Sequence, residues 1–424
     1  MTIFRATTHK VAVACVVMAT GAVLTGCGNN GAGASDGTSV IGVAAPLSGE
    51  AAVFGGAVDS ITRAVVNHVN ERGGINGITF EVVSEDEKFN AEDGVRAVTK
   101  LINKDNAQFI VGPTSSTFMA TLSQAERSEV AIASPYAGIV EYDDQANPYT
   151  FRTIGPDTFD GLAVAKNIWD NGFKTLSILY ENSDSARSTS SWLEDYYTKL
   201  GGTVVAKVAY NGGQSSYLPE VRSAFEPKPD MVFLAGSVEP AIPIVREWAR
   251  LGIPGKWSFI AELTYPVLLK EVGAQYLEGA YGQSAFAADS PAVAGMRDVL
   301  IEEYGEEKGM AIAQQPTAAM AYDAIVSGLL AMAAGGEATG TAIADNLHNV
   351  TDSGGTPVFS LDEGLELLAK NERIDYQGAS GPVDFSSTNT AAPDYGVYQV
   401  VDGKWQVVKR YTGVEISDLA EELG

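Results

Sequence analysis

Short runs of apolar, often β-branched residues alternate with amphipathic stretches along most of this chain, in steps of about 30 residues. That alternation leaves few architectures open. Val40-Ile41-Gly42-Val43-Ala44-Ala45 reads as a buried strand closed by Pro46. From Val58, the residues Ile61, Val65 and Val69 share one helical face until Gly73-Gly74 stop the helix. Thr79–Val83 is the next strand, and Ala91–Asn103 a helix with Val95, Val98, Leu101 and Ile102 inward. Gln108–Gly112, Thr117–Ser128 and Val130–Ala133 read as strand, helix and strand. Parallel strands need a crossover between them, and a helix supplies it, so the pattern predicts a parallel sheet flanked by helices.

The pattern then restarts. Thr175–Tyr180, Thr203–Val208, Met231–Ala235 and Ser258–Ile260 are strands, separated by helices at Thr189–Leu200, Tyr217–Phe225 and Pro240–Leu251. This is a second doubly wound lobe, joined to the first near Tyr149–Gly155. Ser290 caps a helix that Pro291 opens and that runs to Tyr304. Pro316–Ala334 follows with no strand between, as expected if the chain returns to cover lobe one. Tyr395–Val400 and Trp405–Val408 form a hairpin on Asp402-Gly403, placed with lobe two. The fold class is therefore α/β, with two doubly wound parallel-sheet lobes.

Residues 1–10 carry Arg5 and Lys10 and precede an apolar stretch from Val11 to Val23, the form of a secretory signal. It ends in Leu24-Thr25-Gly26-Cys27, which resembles the lipobox of bacterial lipoproteins and implies acylation of Cys27 after cleavage before it. The Gly/Asn/Ser-rich segment that follows cannot bury apolar surface and reads as a tether. The expected location is the cell envelope, outside the cytoplasmic membrane. Composition narrows the chemistry. Cysteine occurs only at 15 and 27, and of three histidines His9 lies in the leader, which leaves His68 and His348. The folded body can then hold no disulfide, and a zinc site or Cys/His protease is hard to build. A formal charge of −25 repels phosphate backbones and argues against nucleic acid.

Six blocks carry a resemblance. They are Pro46-Leu47-Ser48-Gly49, Asn70 to Gly77 (NERGGING), Ser84-Glu85-Asp86-Glu87, Gly112 to Thr117 (GPTSST), Ser134-Pro135-Tyr136-Ala137 and Ala321-Tyr322-Asp323-Ala324. Together, over about residues 39–410, they resemble type I periplasmic binding proteins of the branched-chain amino-acid (Leu/Ile/Val-binding) family, the receptors of ABC importers. The resemblance implies two lobes joined by a three-strand hinge that close on a small solute. It implies no catalysis, no cofactor and no metal, and as partners an ABC permease and ATPase complex. A monomer is expected. The corresponding organisation is signal peptide 1–26, lipid-anchored tether 27–38, lobe one 39–152, lobe two 153–284, return to lobe one 285–385, and return to lobe two with the C-terminal tail 386–424.

In open parallel sheets ligands sit outside the carboxyl ends of the strands. Ser115, Ser116 and Thr117 offer hydroxyls beside the N–H groups of a helix start, a site suited to a carboxylate. In the family the residue matching Ser116 binds the ligand α-carboxylate. The loop Glu50–Gly55 places Phe54 where the family has an aromatic closing over the ligand. Tyr136 stands where amino-acid binders usually have a small residue, and Gly138, beyond Ala137, where they have Ser or Thr. Tyr136 either fills the pocket, stacks on a planar ligand or covers the hinge. From lobe two come Ser237, where amino-acid binders often have Tyr, and Glu262, the match to the family's ammonium partner. Arg187 pairs with a ligand acid or, the preferred reading, with Asp184.

Three other outcomes stay open on the sequence. The solute is an amino acid or related carboxylate, or else an amide, urea or aromatic acid. The lobes serve a sensor instead of an importer. Or the chain is an enzyme working with carboxylates alone, since neither a nucleophile elbow nor a Walker loop occurs.

Overall fold

A computed structural model describes residues 37–424 apart from 50, 146, 286–289 and 316, and of Asp184 the backbone only. The leader, Cys27 and nearly all of the tether lie outside the described residues.

Lobe one opens with β1 (Thr38–Ala45), α1 (Ala52–Glu71), β2 (Thr79–Asp86), α2 (Ala91–Asn103), β3 (Ala107–Val111), α3 (Ser115–Ser128), β4 (Ala131–Ser134) and β5 (Thr150–Arg152). All five strands are parallel, in the order β2-β1-β3-β4-β5. Both faces of the sheet are covered, which is why β3 carries the apolar run Phe109-Ile110-Val111. Local chemistry fixes the ends. Asn90 caps α2 by accepting the Asp93 N–H, and Glu92 and Asp93 place negative charge in the first turn. At the end of α1, Asn70 pairs through its side chain with both backbone groups of Phe80 at 2.8 Å. Gly74 (φ 74°) then turns the chain where a Cβ would stand 2.1 Å from the Ile78 carbonyl. The NERGGING block is thus the corner that delivers β2 beside β1.

Lobe two follows with α4 (Asp157–Asp170), β6 (Thr175–Glu181), α5 (Asp184–Lys199), β7 (Thr203–Tyr210), α6 (Leu218–Phe225), β8 (Met231–Ala235), α7 (Val238–Leu251), β9 (Trp257–Phe259), α8 (Pro266–Val272) and β10 (Tyr281–Ala285). The chain then re-enters lobe one as α9 (Pro291–Tyr304), α10 (Glu306–Ala313), α11 (Ala318–Gly335), α12 (Gly340–Thr351), β11 (Thr356–Val358), α13 (Leu361–Ala369), β12 (Ile374–Gly378) and β13 (Gly381–Pro382). It ends in lobe two with β14 (Tyr395–Val401), β15 (Lys404–Tyr411) and α14 (Gly413–Leu423). The second sheet runs β15-β14-β10-β9-β8-β6-β7, parallel except at β14, which pairs antiparallel with both β10 and β15. Strands β11, β12 and β13 make a small third sheet.

The expected α/β architecture of two parallel-sheet lobes is what the chain adopts. Ser290 caps α9 as anticipated, accepting the Val293 N–H, and no strand separates α9 from α11, although the short α10 does. The Asp402-Gly403 turn has φ of 51° and 72°, the left-handed pair that a two-residue hairpin requires. Helix α11 is long and apolar enough to cross a membrane, but it is packed inside lobe one. The chain passes between the lobes three times; the first and third passages are residues 153–156 and 386–394, and the second falls between β10 and α9. The first and third run side by side, with the Arg152 N–H donating to the Asn389 carbonyl (2.9 Å) and the Ala391 N–H to the Arg152 carbonyl (3.0 Å).

Candidate functional site

Strand order places a reversal between β1 and β3 in lobe one and between β6 and β8 in lobe two. Crevices outside the carboxyl ends of such strands are where doubly wound sheets bind ligands. In lobe one that end leads from β3 into α3, which starts two residues earlier than the sequence predicts. Ser115 and Ser116 occupy its first two positions, half-buried and exposed respectively, and the cap residue Thr114 makes no side-chain capping bond. The serine hydroxyls therefore do not cap the helix. The helix tip, however, already holds an anion. Glu87, fully buried, accepts the Thr114 N–H at 3.2–3.3 Å. Burial raises the pKa of Glu87, against the lowering contacts of Thr114 and Thr117.

Lobe two repeats the device. Ser237, at the start of α7, donates its N–H (2.7 Å) and its hydroxyl (2.8 Å) to the Glu181 carboxylate at the end of β6. Ser237, expected to face the solute, thus gives its N–H and hydroxyl to Glu181, because the positive end of α7 draws the nearest acid onto it. Ser183 caps α5, and the side chain of Asp184, the expected partner of Arg187, lies outside the described residues.

The loop after β4 also turns its donors inward. The Tyr136 and Ala137 N–H groups both reach the Ser134 hydroxyl oxygen (3.1 and 2.9 Å), and the Gly138 N–H reaches the Tyr136 carbonyl (2.9 Å). Ala137 is fully buried and its carbonyl accepts from Arg152, so it belongs to the hinge. Phe54 lies in the first turn of α1 and not in a loop; residue 50 of that segment lies outside the described residues. Its carbonyl accepts the Tyr136 hydroxyl at 2.7 Å. Of the alternatives for Tyr136, this geometry favours a cover held against lobe one, with burial pushing its pKa up.

Gly138 is where the two lobes meet. Its carbonyl accepts the Asp157 N–H from the first turn of α4 at 2.7 Å, and a Cβ at 138 would lie 2.1 Å from Asp157 Oδ1. The space that a side chain at 138 would need is thus taken by a carboxylate from lobe two. Gly138→Ser is expected to destabilise the chain by about 1–3 kcal/mol through overpacking. Combining it with Asp157→Gly should recover most of that loss in a double-mutant cycle followed by urea denaturation. A neutral Gly138→Ser would show that the contact does not constrain the hinge.

Sequence reasoning missed Asp157 and Asp160, whose signal was two acids three apart in the first turn after Gly155-Pro156, and Gln283 on β10, which had none. Burial and the charges of Asp157 and Glu262 raise the Asp160 pKa well above the usual range. Burial lifts Asp157 to about 6. Glu262, on the turn after β9, has its pKa raised by burial and by Asp157, and its Oε2 is buried without a partner. Away from this crevice, a cavity of about 260 Å³ lies between α1, α9 and α13. There His68 bridges Glu302 and Asp362 at 3.1 and 3.0 Å, and Asp362 above all raises its pKa.

A family model described as periplasmic binding protein matches residues 38–404. The chain is 25% identical over 376 residues to the chemotactic signal transduction system substrate-binding protein BasB of Halobacterium salinarum, covering 85% of this chain and 87% of that one. It is 24% identical over 222 residues to Leu/Ile/Val-binding protein homolog 1 of Brucella suis, a match that spans 51% of this chain and 59% of that protein's length. Among solved structures, LivJ of Streptococcus pneumoniae in complex with isoleucine superposes with a TM-score of 0.73 at 21% identity, covering 88% of this chain and 99% of that one. A solute-binding protein of R. palustris in complex with benzoate gives 0.70 at 17% identity, covering 88% and 96%.

Proposed function

Because the chain belongs to the periplasmic binding protein family, we propose that it is the lipid-anchored, extracytoplasmic substrate-binding protein of an ABC importer. It would be held by Cys27 and would close its two lobes on a small polar solute. Family membership makes it a binder of solutes and not an enzyme. The observation that carries the reading is the meeting of lobes at the crevice, where the Asp157 N–H of lobe two reaches the Gly138 carbonyl of lobe one beside Glu262. Solute contacts from both sides there would bias an open–closed equilibrium, and a permease would engage the closed form. Ser115 and Ser116 supply hydroxyls from lobe one and Glu262 an acceptor from lobe two. The similarity to a chemotactic substrate-binding protein supports a second reading, in which the same capture feeds a signalling complex.

Thermal-shift screening against amino acids, amides, urea and aromatic acids tests the proposal. At least one compound should raise the melting temperature, and Ser116→Ala should weaken that compound about tenfold, the loss of one charge-assisted hydrogen bond. Detergent-phase partitioning that Cys27→Ser abolishes would accompany a lipid anchor. Binding of macromolecules with no response to any small solute would sink the importer reading.

A further inference from the structure

Both helix tips that face the crevice hold glutamates of the protein itself, Glu87 on α3 and Glu181 on α7. The donors of residues 136–138 are bonded within their own loop. Arg152, whose charge acts on Asp157, is also fully engaged. Its Nε donates to Thr390 Oγ1 (2.9 Å), Nη1 to the carbonyls of Ala137 and Ile139 (2.8 and 2.9 Å), and Nη2 to Asp143. Positive groups at the crevice are thus already matched inside the protein.

On the lobe-two side, Glu262 Oε2 and Gln283 Oε1 are buried acceptors without a partner, while Asp157 accepts from Ser188 and Asp160 from Gln283. Asp157 and Asp160 from α4 and Glu262 from the turn after β9 lie close enough to perturb one another. Glu262 Oε2 is buried and accepts nothing. Gln283, only 3% exposed, points its Nε2 at the carbonyl and carboxylate of Asp160 (3.3 and 3.4 Å), which leaves its Oε1 buried without a donor. Turning the amide over would set Oε1 against the Asp160 backbone carbonyl, an acceptor at any pH, which fixes the orientation. An orphaned neutral acceptor beside an orphaned carboxylate oxygen calls for a donor-only group. A bare metal ion does not fit, because among the described residues no three acids or histidines are grouped to hold one. Tyr265 and Tyr395 border the same acids, and aromatic rings are favourable neighbours for an organic cation.

We infer that the solute is an organic cation carrying N–H donors, a protonated amine or guanidinium of net positive charge, with its charged end among Asp157, Asp160, Glu262 and Gln283 Oε1. The inference rests on the solute-binding reading above and adds the charge class, with three acceptors beyond the Glu262 that the family resemblance implies.

The test uses the purified full chain with agmatine, putrescine and L-arginine as probes, against leucine, urea, benzoate and tetramethylammonium. At least one N–H-bearing cation should raise the melting temperature by several degrees at millimolar concentration, and Asp160→Asn should weaken it tenfold or more by calorimetry. Asp157 is faced by Arg152, Asp143 and Glu141, by Asp160 and Glu262, and by Ser188 and Tyr395. Since Asp157 loses its proton near pH 6, the shift should grow between pH 5 and pH 7.5. Leucine or benzoate binding while every cationic probe fails would overturn the inference and leave the solute-binding reading standing. Equal binding by wild type and Asp160→Asn, or by tetramethylammonium, would overturn the assigned acceptors. Failure of all seven compounds would count against both readings.

Discussion

Arg152→Leu is expected to cost about 3–5 kcal/mol, the usual penalty for removing one partner of a buried ion pair. At roughly 2 °C per kcal/mol for a chain of this size, the melting temperature should fall by about 6–10 °C. Arg152 is fully buried at the end of β5, where the chain leaves lobe one. Its guanidinium ties Asp143, Thr390 and the Ala137 and Ile139 carbonyls, and it lies 4.9 Å from the centre of the Tyr142 ring. Burial alone lowers its pKa, and the charge of Asp143 opposes that. For Asp143 burial raises the pKa and Arg152 opposes it. Each therefore keeps the other ionised, and leucine would leave Asp143 and three uncharged acceptors without their donor. Because Thr390 lies on the third connection, the loss should also loosen the pairing of the first and third crossings. Lysine should restore less than half of the loss, since a single ammonium cannot reproduce the planar fork. Denaturation midpoints decide the matter, and a cost below about 1 kcal/mol for leucine would show that the hinge does not depend on this group.

How much of this was legible beforehand follows the physics of each element. Strands buried on both faces announce themselves as apolar runs, and α2 has the caps and the one-sided stripe that make its limits, Ala91–Asn103, readable from sequence. Helix α4 has neither. Leu162, Ala163, Val164, Ala165 and Ile168 are all buried, and Gly161 packs against Trp192 and Leu193 of α5, so no polar stripe marks its outer face. The crevice was legible by half. Ser115 and Ser116 are placed by local sequence at a strand-to-helix turn, and Glu262 by a strand end. That Glu87 and Glu181 neutralise the helix tips depends on strand neighbours, as does the approach of Asp157 to Gly138 across the hinge. No local pattern encodes those contacts, and the charge class of the solute changes with them.

The Ala321-Tyr322-Asp323-Ala324 block, which the sequence offered only as a family marker, has a physical reason that a substitution should expose. Asp323 is fully buried on α11 and accepts four hydrogen bonds: from the Tyr376 hydroxyl (2.8 Å), the Ala379 and Ser380 N–H groups (2.8 and 2.7 Å), and the Ser380 hydroxyl (2.5 Å). A Cβ at Gly378 would come within 2.5 Å of the Asp323 carboxyl carbon, so the turn is built around this side chain. Asp323→Leu strands all four donors in a dry interior, and at about 1–1.5 kcal/mol each, the low end for a stranded donor, about 4–6 kcal/mol should be lost. Asp323→Asn keeps one acceptor oxygen and sets an NH₂ against the donors of Ser380, whose hydroxyl can rotate to accept. A smaller loss of about 1–3 kcal/mol is expected there. The two variants separate the packing of α11 from the acceptor role, since both keep the number and branching of side-chain heavy atoms. Hydrogen exchange at Ala379 and Ser380, protected in the native chain, should accelerate in the leucine variant before the rest of lobe one does, because the segment leads directly into the third crossing. Equal costs for leucine and asparagine would mean that shape, and not the acceptor, holds this turn to α11.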